Sequence, residues 1–263
     1  MPSSSPSPSP FPGAPQELLY EGKAKRVYRT ADPQVYLCQY KDDATAFNAE
    51  KRGSIAGKGE VNCTVSSHLF RYLAQQGIPN HFLAQPSPTE MQVKAVTILP
   101  LEVVVRNRTA GSLCKRLGLE RGLPIDPPLL EFYYKNDALG DPLVTQDHIR
   151  LLKLATPSQV EQVGSLALTI NGHLQTFWRA CQLELVDFKL EFGCDAEGEI
   201  LLADEISPDT CRLWDLAAGD DSAPRVLDKD LFRFDLGDPV AGYQEVLQRV
   251  LQVVEQQPHP NSA

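Results

Sequence analysis

The run Val186-Asp187-Phe188-Lys189-Leu190-Glu191-Phe192 alternates apolar and charged residues without a fault. Side chains of an extended chain leave opposite faces at a period of two, so the four apolar residues fall on one side of a strand. Asp187, Lys189 and Glu191 fall on the other. Asp195-Ala196-Glu197-Gly198 then carries turn chemistry. Glu199 to Asp204 returns as a partner strand, and the hairpin brings Asp204 back toward the three charged residues. The return strand is apolar on both faces (Ile200, Leu201, Leu202, Ala203), which predicts a covered sheet. Charges on a covered face need partners or a metal. Two readings are open from the pattern alone. One is a salt-bridged outer face; the other is a magnesium–phosphate site, in which paired carboxylates supplement phosphate oxygens.

Immediately downstream, Asp204-Glu205-Ile206-Ser207-Pro208-Asp209-Thr210-Cys211-Arg212-Leu213-Trp214-Asp215 offers acids, a hydroxyl and an arginine within one reach. Arg212 suits a phosphate or carboxylate fork, or a structural bridge to Asp209 or Asp215. Trp214 reads as a core anchor. Upstream, Thr156-Pro157-Ser158-Gln159 supplies an N-cap, a proline at the first helical position and a capping-box glutamine. Val160, Val163, Ala167, Ile170, Leu174, Phe177 and Cys181 continue that helix on one face. A second helix is predicted from Val61, Val65, Leu69 and Leu73. Short β-runs at Leu18–Tyr20, Val27–Tyr28 and Val35–Cys38 suggest an antiparallel meander. Ala95–Leu99 and Glu102–Val105 read as two buried strands broken at Pro100. Strands followed by mixed helices imply an α+β fold.

Several loops are candidates for holding phosphate. Glu21-Gly22-Lys23-Ala24-Lys25 forms a glycine-containing hairpin tip with lysines. Gly53-Ser54-Ile55-Ala56-Gly57-Lys58-Gly59 is one residue short of P-loop spacing and has glycine where the metal-binding hydroxyl belongs, so a P-loop is rejected. Glu102-Val103-Val104-Val105-Arg106-Asn107-Arg108 ends an apolar strand in two arginines, with Gly111-Ser112 after it. Lys135-Asn136-Asp137 and Asp141-Pro142 add another polar turn. Singly each is a solvated loop; together they argue for one site assembled from several loops.

The formal charge of −9 over 263 residues excludes a phosphate-backbone binder with a basic face and leaves phosphorylated metabolites open. No apolar run approaches the roughly 18–20 residues that a bilayer span needs. Cys38, Cys63, Cys114, Cys181, Cys194 and Cys211 show no C-x-x-C pair. That argues against zinc and a disulfide framework, and for a reduced, cytoplasmic protein. Residues 1–15 are almost entirely Ser and Pro, which predicts a disordered tail without a role in the chemistry.

Eight stretches occur in order: LYEGKAKRVY, KDDATAFN, GKGEVN, EVVVRNRTAGSLCKR, EFYYKNDALGDP, VDFKLEFG, DEISPDTCRLWD and DKDLFR. Together they resemble the SAICAR synthetase (phosphoribosylaminoimidazole-succinocarboxamide synthase) family, from about Leu18 to Arg233. The resemblance implies a two-lobed α+β fold related to protein kinases and ATP-grasp enzymes. Residues 16–107 would form an antiparallel-sheet, nucleotide-binding lobe, and residues 108–263 a larger α+β lobe with the ribotide and metal site. It implies a carbon–nitrogen ligase of purine (IMP) biosynthesis. Its substrates would be ATP, an imidazole ribotide carboxylate (CAIR) and L-aspartate, with Mg²⁺ as cofactor; a homodimer is a family-level expectation.

Carried over by motif, Lys23, Ala24, Lys25 and Val27 resemble the nucleotide loop, and Lys94, Leu99 and Glu102 the inter-lobe nucleotide contact. Glu191 and Asp204 match the metal carboxylates. Arg106, Ser112, Asp187, Lys189, Asp209 and Arg212 match ribotide-site positions, and Lys229 joins them. Among these, Lys189, Asp187 and Arg106 are the expected catalytic set. His148 is open between a site role and a loop role; His68 reads as structural. Two other classes are weighed. A small-molecule kinase would leave a stable phosphorylated product, and a non-catalytic nucleotide binder would not need Lys189, Glu191 and Asp204.

Overall fold

In the computed structural model, residues 15–46, 50–218 and 224–256 are described; apart from Pro15, the Ser/Pro segment lies outside them. The early β-runs form the expected meander: β1 (Leu18–Glu21), β2 (Lys25–Arg29) and β3 (Val35–Tyr40) pair antiparallel in sequence. A small ribbon, β4 (Asp43–Ala46) with β5 (Lys51–Ser54), leads into helix α1 (Lys58–Gln75). Gly57 precedes α1 in the left-handed region (φ 76), which glycine enters at no steric cost. Strands β6 (Phe82–Ser87) and β7 (Glu90–Lys94) complete a five-stranded sheet ordered β1-β2-β3-β7-β6. The apolar stripe of α1, with Val61, Val65, Leu69 and Leu73 each fully buried, packs on β3, β6 and β7.

The second sheet is built on the alternating stretch. Strand β8 (Thr97–Arg108) is followed by the short helix α2 (Gly111–Leu117), β9 (Pro124–Tyr134), β10 (Leu143–Val144) and α3 (Gln146–Leu152). Then come α4 (Pro157–Ala180), β11 (Leu183–Cys194), β12 (Ile200–Ala203) and β13 (Cys211–Asp215). The sheet runs β10-β9-β8-β11-β12, and β13 also pairs with β11. Helix α4 has the expected Thr156/Gln159 capping box and lays Val163, Ala167, Ile170 and Leu174 against β11 and β8. Strand β12 is buried at every residue, as expected of a covered hairpin. Helices α5 (Asp230–Phe234) and α6 (Pro239–Gln256) end the described chain, with α6 packed on α1.

Two expectations are corrected. The chain from Thr97 to Arg108 is one strand and is not broken at Pro100. Proline lacks the N–H a ladder requires, and the register with β11 slips at this point, from Glu191↔Glu102 to Gly193↔Ile98. Pro100 sits inside that slip, where no bond from its nitrogen is needed. Nor do the four apolar residues of the alternating run share one cluster. Phe188, Leu190 and Phe192 join the main core, whereas Val186 packs with Ala110, Trp214, Val226 and Leu231. The cause is a bulge on β11: Leu185 faces Leu213, and Asp187 faces the very next residue of β13, Arg212.

Strand β8 hydrogen-bonds only into the second sheet, although its sequence lies within the span 16–107. The sheets meet where His81 N donates to Leu202 O at 2.9 Å and Leu202 N donates to Pro79 O at 3.0 Å. These bonds hold the end of β12, and hence Asp204, beside the first sheet.

Candidate active site

Residues paired across neighbouring strands point their side chains to the same face. Arg106 on β8, Asp187 on β11 and Arg212 on β13 therefore form one row. Without the bulge, Arg212 would lie opposite Val186 and point to the other face; with it, the arginine is turned into the row. Asp187 is 4% exposed and its charge is held from both sides. Arg106 Nη1 donates to Oδ2 at 2.8 Å, and Arg212 Nη1 donates to Oδ2 at 2.8 Å and to Oδ1 at 3.0 Å. Arg106 also donates from Nε to Glu131 (2.7 Å) and from Nη2 to Ser112 Oγ (3.3 Å) and Tyr133 Oη (3.2 Å). Each of its three nitrogens thus already has a protein partner. Arg212 Nε donates to Asp230 Oδ2 at 2.7 Å, and among the described residues Nη2 meets no protein acceptor. Burial disfavours the Arg212 charge, but Asp187 and Asp230 outweigh it and raise its pKa.

Gly111 (φ 55) is the floor beneath that guanidinium. A side-chain carbon there would stand 2.7 Å from Arg212 Cζ, so only glycine admits this packing.

The next rows along β11 carry the lysine–carboxylate cluster. Glu191 lies across from Glu102, a juxtaposition of like charges that needs cations. Lys189 Nζ supplies one, at 2.6 Å from Glu191, 3.0 Å from Asp204 and 3.5 Å from Glu102. Lys135 makes a close ion pair with the other Glu191 oxygen. Lys25, the first residue of β2, crosses from the first sheet to Asp204 Oδ1 (2.6 Å) and Glu205 (3.6 Å). Asp204 is thrown between the two lysines by a left-handed backbone (φ 62), which aspartate tolerates better than most residues. Burial pushes the Asp204 carboxyl up, but Lys189 and Lys25 overcome it and hold the pKa well below the usual range. Burial likewise opposes the Lys189 and Lys25 charges, and their carboxylate neighbours hold both ammonium groups well above their usual value. Glu102 is raised, chiefly by burial.

These groups line one cavity of about 780 Å³ between the two sheets. It brings together Lys23, Ala24, Lys25, Glu102, Arg106, Ser112, Asp187, Lys189, Glu191, Asp204, Asp209, Arg212 and Lys229. Val27, Lys94 and Leu99 do not line it: Val27 packs on the core, Lys94 ends β7 exposed, and Leu99 is a buried core residue. Lys23 sits at the rim, with its ammonium 2.7 Å from Asp137. His148 belongs to the capping box of α3, outside the cavity, and His68 is half-buried on α1. Residue-by-residue reading did not single out Glu131, Tyr133, Lys58 or Asp230. Glu131 and Tyr133 were signalled only by EFYYKN, Lys58 by GKGEVN and by the loop rejected as a P-loop, and Asp230 by DKDLFR.

The donor set of Glu191 and Asp204 fits Mg²⁺ in its chemistry: both are hard-oxygen carboxylates, and both reach the Lys189 ammonium. Among the described residues no group of three or more His, Cys, Asp or Glu side chains forms a metal site. The rest of such an ion's shell would come from phosphate and water.

Fold and site define an α+β protein with a charged cleft between its two sheets, in which lysines and arginines interleave with carboxylates. The SAICAR synthetase family model matches residues 18–250. The chain belongs to the SAICAR synthetase family. It is 85% identical over 247 residues to phosphoribosylaminoimidazole-succinocarboxamide synthase of Synechococcus sp. (strain JA-2-3B'a(2-13)), covering 94% of this chain and 99% of that one. The solved structure of phosphoribosylaminoimidazole-succinocarboxamide synthase from Ehrlichia chaffeensis superposes with a TM-score of 0.85 at 41% identity, covering 92% of this chain and 100% of the other. A SAICAR synthetase solved in complex with ADP matches at a TM-score of 0.84 and 42% identity, over 91% and 99% of the two chains. No helix among the described residues is long and apolar enough to cross a membrane.

Proposed function

We infer that this chain is an ATP-dependent carbon–nitrogen ligase of purine biosynthesis. It joins the carboxylate of CAIR to the amine of L-aspartate and gives SAICAR, ADP and phosphate. The observation that carries the reading, beside family membership, is the convergence of Lys25, Lys189, Arg212 and Lys229 on one cavity in a protein of net charge −9. All three reactants are anionic, and a cleft in which lysines and arginines match the carboxylates in number is far less repellent to them than the acidic surface of the whole protein.

A carboxylate is a poor electrophile. Its oxygen attacks the terminal phosphorus of ATP, releasing ADP, and the aspartate amine then displaces phosphate from the acyl carbon. Such transfers rest on positioning and charge neutralisation, and no covalent protein nucleophile is required. Lys23, Ala24 and Lys25 face the ATP phosphates from the first sheet. Arg212, whose Nη2 meets no acceptor among the described residues, and Lys229 face the ribotide, and Ser112 lies beside them. Arg106 and Asp187 hold Arg212 in place, since the partners of Arg106 are already protein groups. Glu191 and Asp204 would hold Mg²⁺, which supplies charge neutralisation at phosphate oxygens, while Lys189 keeps the two carboxylates together. Residues 16–107 and 108–263 are the two lobes of this reading, with β8 in the first span by sequence and in the second sheet by its pairing. The six free cysteines fit a cytoplasmic setting. A homodimer also belongs to the reading, and light scattering is the measurement that would test it.

The test is ADP release and SAICAR formation from the enzyme with Mg²⁺-ATP, CAIR and aspartate. ADP release at the full rate with aspartate omitted, and with a phosphorylated product left behind, would make the protein a kinase.

A further inference from the structure

Asp209 lines the cleft, yet both its carboxylate oxygens are engaged by protein groups. Tyr243 Oη, on α6, donates to Oδ1 at 2.5 Å; Lys58 Nζ, at the start of α1, lies 3.0 Å from Oδ2; Lys229 Nζ lies 3.4 Å from the same oxygen. The Lys58 and Tyr243 side chains are each about 1% exposed. Of the three partners, only Lys229 lines the cavity. The carboxylate is therefore a junction between two buried anchors and one ammonium offered to the cleft.

We propose that Tyr243, a residue of the C-terminal helix outside the cleft, is a positioning residue for Lys229 and acts through Asp209.

The two oxygens explain why the phenol matters. With Oδ1 pinned by Tyr243, the carboxylate plane is fixed and Oδ2 is shared by the two lysines. Without that pin the carboxylate is free to turn. Lys58, buried and with Asp209 as its recorded ion-pair partner, has the stronger claim on it, because a buried ammonium without a counter-charge is costly. Lys229, held at the longer distance, loses its orienting charge. Burial first, and the Asp209 charge second, hold the phenol well above its usual pKa, so it stays a donor. The anchor itself does not drift: α6 rests on α1 through Val246 and Val250, and Gly242 lets it pack closely against Leu231 of α5, the helix that follows Lys229.

The inference rests on reading the cleft as a ribotide site, so the readout is binding and not turnover. Failure of the wild type to form SAICAR would sink the ligase assignment and leave this measurement standing. CAIR and ATP affinities are measured by calorimetry for the wild type, Tyr243→Phe, Lys229→Ala and the double variant, alongside their melting temperatures. Lys229→Ala should weaken CAIR binding about tenfold, as expected for a lost charged hydrogen bond. Tyr243→Phe keeps the ring and should weaken CAIR about fivefold with ATP unchanged, and the double variant should bind CAIR no more weakly than Lys229→Ala alone. A lower melting temperature with unchanged CAIR affinity would make Tyr243 structural only. Equal losses for ATP and CAIR, losses that multiply in the double variant, or no effect of Lys229→Ala would likewise overturn the proposal. If Tyr243→Phe is insoluble, Asp209→Asn tests the same junction and must give the same CAIR-selective loss.

Discussion

Two hairpins face each other across the cleft, and they treat the same chemistry in opposite ways. The β1–β2 tip carries Lys23 paired with Asp137, with side chains 47% and 70% exposed. The β11–β12 hairpin carries Lys189, Glu191 and Asp204, of which Glu191 is 3% exposed. An exposed pair gains about 0–1 kcal/mol, because water already solvates both ions and salt screens them. A buried pair has lost that solvation, and removing one partner strands the other at a cost of about 3–5 kcal/mol. The outer hairpin can therefore yield to an arriving nucleotide, while the inner one holds its charges in place as part of the core.

The comparison breaks most readily at Arg106. Arg106→Met leaves Asp187 with Arg212, and Glu131 with Arg116 and Tyr133, but removes the buried cation the two share, and should lower stability by about 3 kcal/mol in urea unfolding. A loss under about 1 kcal/mol would mean that the row of charges is not held by the fold. Next come Glu191→Gln and Asp204→Asn, each expected to cut turnover by about 100-fold while circular dichroism stays native. Wild-type rates from either would remove that residue from the proposed metal site. Gly111→Ala pushes a methyl group toward the Arg212 guanidinium in a left-handed backbone. It should cost about 1–2 kcal/mol of stability and weaken CAIR more than ATP; equal losses for both would place Arg212 outside the ribotide site. The smallest effect belongs to the rim: Lys23→Ala should change unfolding free energy by less than about 1 kcal/mol, with any effect on ATP affinity fading as salt rises.

How far the sequence reading reached follows from the range of each signal. Alternation at Val186–Phe192 and the Thr156 capping box are local, and the strand and the helix both formed, with the alternation interrupted only at Val186. The bulge that turns Arg212 toward Asp187 is not local. It depends on how β13 registers against β11, and no residue in either strand announces it. Pro100 misled for a related reason, because proline forbids one hydrogen bond and the sheet happened not to need that bond. Lys58 and Tyr243 stayed hidden because they act on Asp209 from α1 and α6, respectively 151 and 34 residues away in sequence. Val27, Lys94 and Leu99 came from motif resemblance alone, and the fold gives them no wall of this cavity.

The ammonium of Lys189, seated between Glu191 and Asp204, has a consequence for how such a pocket loads and empties. A charged group that enters beside it meets partners already matched with one another, so it competes with a standing ion pair and does not meet a bare charge. The crevice is thereby electrically closed before anything arrives and again once it is vacated.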